Sequence, residues 1–133
     1  MENVLTEIID LFPSEYIHIG GDEARKIAWK TCSKCQTLME KEGLKDLEEL
    51  QCYMIARMEA FLTSKGKRMI GWDEVLNNHL APTSTIISYR GQETASEAAN
   101  RGYNVVFTPG AALYFDWYQA TPETQPRAMI GYS

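Results

Sequence analysis

Two adjacent acids, Asp22 and Glu23, follow the Gly20-Gly21 pair that closes the apolar run Tyr16-Ile17-His18-Ile19. A short apolar run bounded by glycines reads as a buried strand. Successive side chains on a regular strand point to opposite faces, so both carboxylates can serve one pocket only if the strand stops or bends. Glycine supplies that freedom. Carboxyl groups held close together tend to have their pKa values pushed apart, which suits one to carry a proton and the other to remain an anion. The plainer reading of the same residues is a turn, with Asp22 capping the next helix and Glu23 solvated.

The elements around this corner decide what it faces. Apolar residues at helical spacing predict a helix over 2–11, ending at Phe12-Pro13, and a first strand over 15–19. A short helical turn over 24–30 carries Trp29, and a polar segment with two cysteines follows. The strongest helix signal runs over 46–65, where Leu47, Leu50, Met54, Ile55, Met58, Phe61 and Leu62 recur at steps of three and four before Gly66. Further strands are predicted over 68–72, 85–89 and 104–108, with Pro82 in a loop and an Ala-rich helix over 93–101. The segment 111–133 loses periodicity but is rich in aromatic residues, as expected of a loop that lines a pocket. Strands alternating with helices argue for a parallel sheet with right-handed crossovers. Every strand ends in polar or aromatic residues: Asp22-Glu23, Trp72-Asp73-Glu74, Tyr89-Arg90 and the loop at Tyr114. Such placement fits the catalytic face of a (β/α)₈ barrel, which takes about 250 residues. The expected fold is therefore α/β, a partial (β/α)₈ TIM barrel of four strands, and the 133 residues are expected to be one segment of a longer protein.

Composition narrows the partners. The net charge is −5 and there is no Lys/Arg run to follow phosphates, so neither nucleic acid nor an anionic membrane is an expected partner. No apolar run reaches the length of a membrane-spanning helix, and the start of the chain lacks the pattern of a signal peptide. The cysteines Cys32, Cys35 and Cys52 are odd in number, which argues against a disulfide framework. Cys32 and Cys35 have half the spacing of a zinc site, but neither His18 nor His79 is an obvious fourth ligand beside Cys52. Incidental thiols or a local disulfide are the reading, with no metal and no cofactor.

Taken in order, His18-Ile19-Gly20-Gly21-Asp22-Glu23, Gly71-Trp72-Asp73-Glu74, Tyr89-Arg90-Gly91 and Tyr114-Phe115-Asp116 resemble successive strand-end motifs of the β-N-acetylhexosaminidases of glycoside hydrolase family 20. The resemblance covers nearly the whole chain, but only the central and later part of that family's barrel. It implies a retaining exo-hydrolase in which the substrate's own 2-acetamido oxygen is the nucleophile. Glu23 is then the general acid/base. Asp22 orients the acetamide and faces the developing cation. Tyr114 holds the acetamido carbonyl, while Trp72 walls the pocket for the N-acetyl methyl group. Asp116 binds sugar hydroxyls, Tyr89 belongs to the sugar pocket, and His18 supports the carboxylates from behind. Asp73 and Glu74 receive no catalytic role, and Arg90 is expected to pair with a carboxylate. The partner implied is a glycan or oligosaccharide ending in an N-acetylhexosamine, in an extracytoplasmic compartment. Two departures stand out. Tyr89 replaces the tryptophan usual before Arg-Gly, bringing a hydroxyl that needs a partner. The family's sugar-gripping arginine and its later tryptophan and glutamate have no counterpart within these residues. A half barrel leaves two sheet edges exposed, which favours self-association and the alternative that the isolated chain is non-catalytic, structural or sugar-binding only.

Overall fold

The longest helix, α4 (Leu47–Ser64), shows why the chain folds as it does. The Asp46 carboxylate accepts from Glu49 N–H at 2.8 Å, and the Glu49 carboxylate accepts from Lys45 N–H at 2.7 Å, so two orphan donors at the start are satisfied. At the other end, Gly66 (φ +70°) turns left-handed while Lys67 N–H bonds Leu62 O and Gly66 N–H bonds Thr63 O. This is a Schellman closure. Leu50, Ile55 and Leu62 are buried, and Ile55 and Leu62 pack with the strand residues in the core.

The computed structural model describes residues 1–77, 80–116, 118 and 120–127. Besides α4 it contains α1 (Glu2–Leu11), β1 (Tyr16–His18), α2 (Ile27–Thr31), α3 (Ser33–Glu42), β2 (Arg68–Trp72), β3 (Thr85–Ser88), α5 (Gln92–Asn100), β4 (Asn104–Phe107) and α6 (Gly110–Leu113). Short 3₁₀ turns cover Asp73–Val75 and Pro122–Thr124. The four strands are all parallel in the order β1-β2-β3-β4, with Ile17 opposite Met69, Gly71 opposite Ile86, and Ile86 opposite Val105. Sequential order with parallel pairing is the arc of a (β/α) barrel, as expected.

Strand alternation divides the sheet into two faces. Ile17, Met69 and Ile86 are buried against the helices, together with Leu5, Ile55, Leu62 and Ala98. His18, Ile70, Trp72, Ile87 and Val106 project the other way, where coverage is partial or absent.

The polar segment with two cysteines, given no element from sequence, is a ten-residue helix. Cys32 stands at its N-cap with Sγ accepting from Cys35 N–H at 3.4 Å, and Gly43 closes it at φ +68°. A thiol is a weak cap that sequence rules do not count, which hid the helix start. All three cysteines are free thiols. The aromatic segment also holds regular structure, in α6 and the turn at Pro122–Thr124. His79 and Tyr132 lie outside the described residues. The buried acid Glu59, 5% exposed, was hidden within the α4 stripe; its Oε1 accepts from Ala81 N–H at 2.8 Å and from the Ser84 hydroxyl. It thereby ties α4 to the loop entering β3.

Candidate functional site at the strand ends

Gly20 (φ +72°) and Gly21 (φ +96°) carry the chain out of β1 in a conformation that suits glycine. Their second property is closeness. A Cβ on Gly21 would lie 2.2 Å from Val75 Cγ1, and one on Gly71 would lie 2.7 Å from the same atom. Val75, wholly buried, therefore seats in a notch between two glycine backbones. Gly20 O accepts from Trp72 N–H at 3.0 Å, and Gln51 Nε2 donates to Gly21 O at 3.0 Å. The corner is thus clamped to β2 and to α4.

Glu23 follows at φ +46°, the sole non-glycine residue with positive φ among the described residues. Such a conformation costs on the order of 1–3 kcal/mol and persists where surrounding structure over-determines it. Asp22 is no helix cap: α2 starts at Ile27, with Lys26 at its N-cap and no capping side chain. Both acids are exposed at the strand ends.

Next along the sheet is a polar clamp. Asp73, 1% exposed, accepts from Arg90 Nε at 2.7 Å, from Ser88 Oγ at 3.0 Å and from Arg90 N–H at 3.3 Å. One carboxylate so joins the ends of β2 and β3, and Arg90 finds the partner expected of it. Asp73→Ala removes the acceptor of both Arg90 bonds and leaves Ser88 Oγ only Gly91 O, and we expect a stability loss of about 2–4 kcal/mol in denaturant titration. Asp73→Asn, which keeps one acceptor, should lose less. A loss below about 0.5 kcal/mol for the alanine variant would remove Asp73 as the clamp.

The aromatic side chains form a row across the uncovered face. His18 meets Trp72 edge-on, centroids 5.2 Å apart, and Trp72 meets Tyr89 at 5.4 Å and 79°. The Tyr89 hydroxyl donates to Glu74 Oε1 at 2.6 Å, so the hydroxyl that needed a partner has one. Burial, then the charges of Glu74, Glu23 and Asp73, push its ionisation far above the ordinary range.

His18 reaches the acidic corner through the backbone, with Nδ1 accepting from Gly20 N–H at 3.0 Å. That nitrogen must be unprotonated. Burial lowers the His18 pKa from 6.5, against the opposing charge of Asp22. The folded value lies below the unfolded one, so this contribution to stability is complete above about pH 6.5 and is lost as pH falls below it. We expect the His18 imidazole to titrate below 6.5 by NMR, with the Gly20 amide shifting in the same step. Titration at or above 6.5 would contradict the bond.

Tyr114 ends α6, half-buried, with its ring over Gly110: a Cβ there would lie 3.5 Å from Tyr114 Cε2. The Gly110 N–H donates to Tyr89 O at 3.0 Å, which holds this loop at the end of β3. Asp116 follows, its Oδ1 buried and without a partner among the described residues. Glu23, Lys26, Gln51, Asp73, Glu74 and Arg90 share a polar cavity of about 290 Å³ between the strand ends and the start of α4. Glu74, given no role from sequence, lines it; the signal was the second strand-end acid pair in Trp72-Asp73-Glu74. Gln51, hidden in a helical stripe, gave none. A larger groove of about 510 Å³ lies on the outer helices around Met1, Leu38, Tyr53 and Met58, and takes in none of the strand-end residues. Among the described residues, no three His, Cys, Asp or Glu side chains gather in a metal-binding group.

Comparison with known proteins gives a consistent answer. The model of "Glycosyl hydrolase family 20, catalytic domain" matches residues 1–133. A beta-hexosaminidase of Porphyromonas gingivalis is 48% identical over all of this chain, which covers 17% of that protein. A beta-hexosaminidase of Vibrio furnissii is 38% identical over 95% of the chain and 21% of its own length. Among solved structures, a family 20 exo beta-N-acetylglucosaminidase from Vibrio harveyi, in complex with N-acetylglucosamine, superposes with a TM-score of 0.81 at 39% identity. That match covers 89% of this chain and 19% of the other. The chain thus spans about a fifth of the curated relatives it matches.

Proposed function

The chain belongs to glycosyl hydrolase family 20, and from that premise we propose that residues 1–133 are the acid/base-bearing part of the catalytic domain of an exo-β-N-acetylhexosaminidase. Its substrate is a terminal β-linked GlcNAc or GalNAc on a glycan or oligosaccharide. The observation that carries the reading is the glycine corner, which delivers Asp22 and Glu23 at the same sheet end as the His18–Trp72–Tyr89 row.

In the proposed reaction, Glu23 gives its proton to the glycosidic oxygen as that bond to the anomeric carbon breaks. The acetamido oxygen of the same sugar forms the new bond to the anomeric carbon, giving an oxazolinium-like ring. Asp22 takes the acetamido N–H and holds an anion beside the developing positive charge. Tyr114 holds the acetamido oxygen, and Trp72 with Tyr89 encloses the sugar and its methyl group. Asp116, whose Oδ1 is buried and has no partner among the described residues, accepts from a sugar hydroxyl. Water then adds to the anomeric carbon, Glu23 takes its proton, and the ring opens with configuration retained. His18 positions the corner through Gly20 N–H and flanks Trp72.

Chromogenic β-GlcNAc, β-GalNAc and β-glucoside substrates test this on the longer enzyme. Hydrolysis confined to the 2-acetamido sugars, with retention, supports the reading. Equal turnover of the glucoside would overturn it.

A second reading concerns the isolated chain: it is non-catalytic and self-associates through its two sheet edges. The uncovered sheet face and the exposure of both acids favour it. The same assay on the chain alone, beside light scattering, decides. A monomer that hydrolyses the GlcNAc substrate would reject it.

A further inference from the structure

We infer that Glu74 is a positioning residue of the sugar pocket: it takes the Tyr89 hydroxyl out of reach of the ligand and so turns the tyrosine ring into wall beside Trp72. This rests on the family 20 reading proposed above, and adds a residue to which sequence gave no role.

A tyrosine in a pocket wall poses a choice. Its hydroxyl must bond either to the ligand or to the protein, because an unpaired buried hydroxyl is costly. Here the choice is made internally, at 2.6 Å, between two half-buried side chains. Tyr89 is then held at three points. Its hydroxyl is on Glu74, its edge is against Trp72 at 5.4 Å and 79°, and its backbone carbonyl accepts from Gly110 N–H at 3.0 Å.

Glu74 is itself well placed to serve as an anchor. It is the middle residue of the 3₁₀ turn Asp73–Val75. Asp73 on one side is locked to Ser88 and Arg90, and Val75 on the other is seated in the glycine notch. Neighbours fixed on both sides give the backbone at Glu74 the rigidity a binding wall needs. The Tyr89 hydroxyl donates and the Glu74 carboxylate accepts, and burial together with the neighbouring acids favours the protonated hydroxyl. Glu74 Oε2 is buried and has no partner among the described residues, and Glu74 lines the same cavity as Glu23.

Two measurements test the inference. The first needs no activity: ¹³Cζ-tyrosine NMR of the chain. Tyr89 should stay protonated well beyond an ordinary tyrosine. Glu74→Gln and Glu74→Ala should bring it down, and Glu93→Gln, in the first turn of α5, should not. The second is kinetic, in the longer enzyme. Tyr89→Phe and Glu74→Ala should each raise KM roughly threefold to tenfold with kcat nearly unchanged. The double variant should be no worse than either single one. Glu74→Gln, which still accepts the hydroxyl, should keep KM near wild type. Independent, multiplying effects of Tyr89→Phe and Glu74→Ala would overturn the inference, as would a Tyr89 titration indifferent to Glu74. Absence of activity in the wild-type enzyme would instead reject the hydrolase reading, and would leave the titration to judge the pair.

Discussion

Glu23→Gln should lower hydrolysis by the longer enzyme at least 10²- to 10⁴-fold, the usual worth of a positioned proton donor, while stability barely changes. Glutamine keeps the size and polarity of the side chain and removes only the transferable proton. The backbone offers a second handle on the same residue. At φ +46°, Glu23 sits where glycine is more comfortable, so Glu23→Gly should raise stability by roughly 0.5–1 kcal/mol in denaturant titration. It should abolish activity at the same time. Opposite signs for stability and turnover mark a position kept strained for function. Retention of more than a tenth of the wild-type rate by the glutamine variant would remove Glu23 as the acid/base.

Gly21→Ala should be among the most damaging single-methyl changes in the chain, by about 2–4 kcal/mol. Two penalties combine. The backbone at φ +96° disfavours any Cβ, and the added atom would stand 2.2 Å from Val75 Cγ1, far inside contact distance. Gly71→Ala meets Val75 at 2.7 and 2.9 Å and Gly20 O at 3.2 Å, so it should hurt as well, through sterics alone. The check is a double-mutant cycle. Val75→Ala by itself opens a cavity and costs roughly 2 kcal/mol. Combined with Gly21→Ala it removes the clash, so the pair should be less destabilised than the sum of the singles. Simple additivity would mean that Val75 does not fill the notch. Because Gly21 adjoins Asp22, Gly21→Ala should also depress activity in whatever protein remains folded.

Much of this fold was legible in the chain. Leu50, Ile55 and Leu62 announced α4 by period, and Gly66 announced its end, since helix faces and caps are local properties. The short apolar runs announced β2, β3 and β4 to within a residue. The residues of the proposed site were read from its motifs, because the chemistry of a strand end is carried by neighbouring residues. What failed was local signal that is weak or absent. A cysteine at the N-cap concealed α3. Asp73 and Glu74 carried no role because nothing beside them in sequence says that Ser88, Tyr89 and Arg90 will arrive to bond them.

By itself, then, the sequence determined the alternation of elements, the parallel arc and the identity of the acids at the strand ends. These follow from periodicity, capping and turn chemistry, all of which act within a few residues. The tertiary structure decided what those residues do to one another. Gly20-Gly21 read as a hinge and is equally a notch for Val75. His18 read as support for the acids and is also the first member of an aromatic row. Tyr89 read as a wall in need of a partner, and its partner is Glu74. Each depends on close contact between residues fifteen or more positions apart, which the packing of the sheet ends supplies.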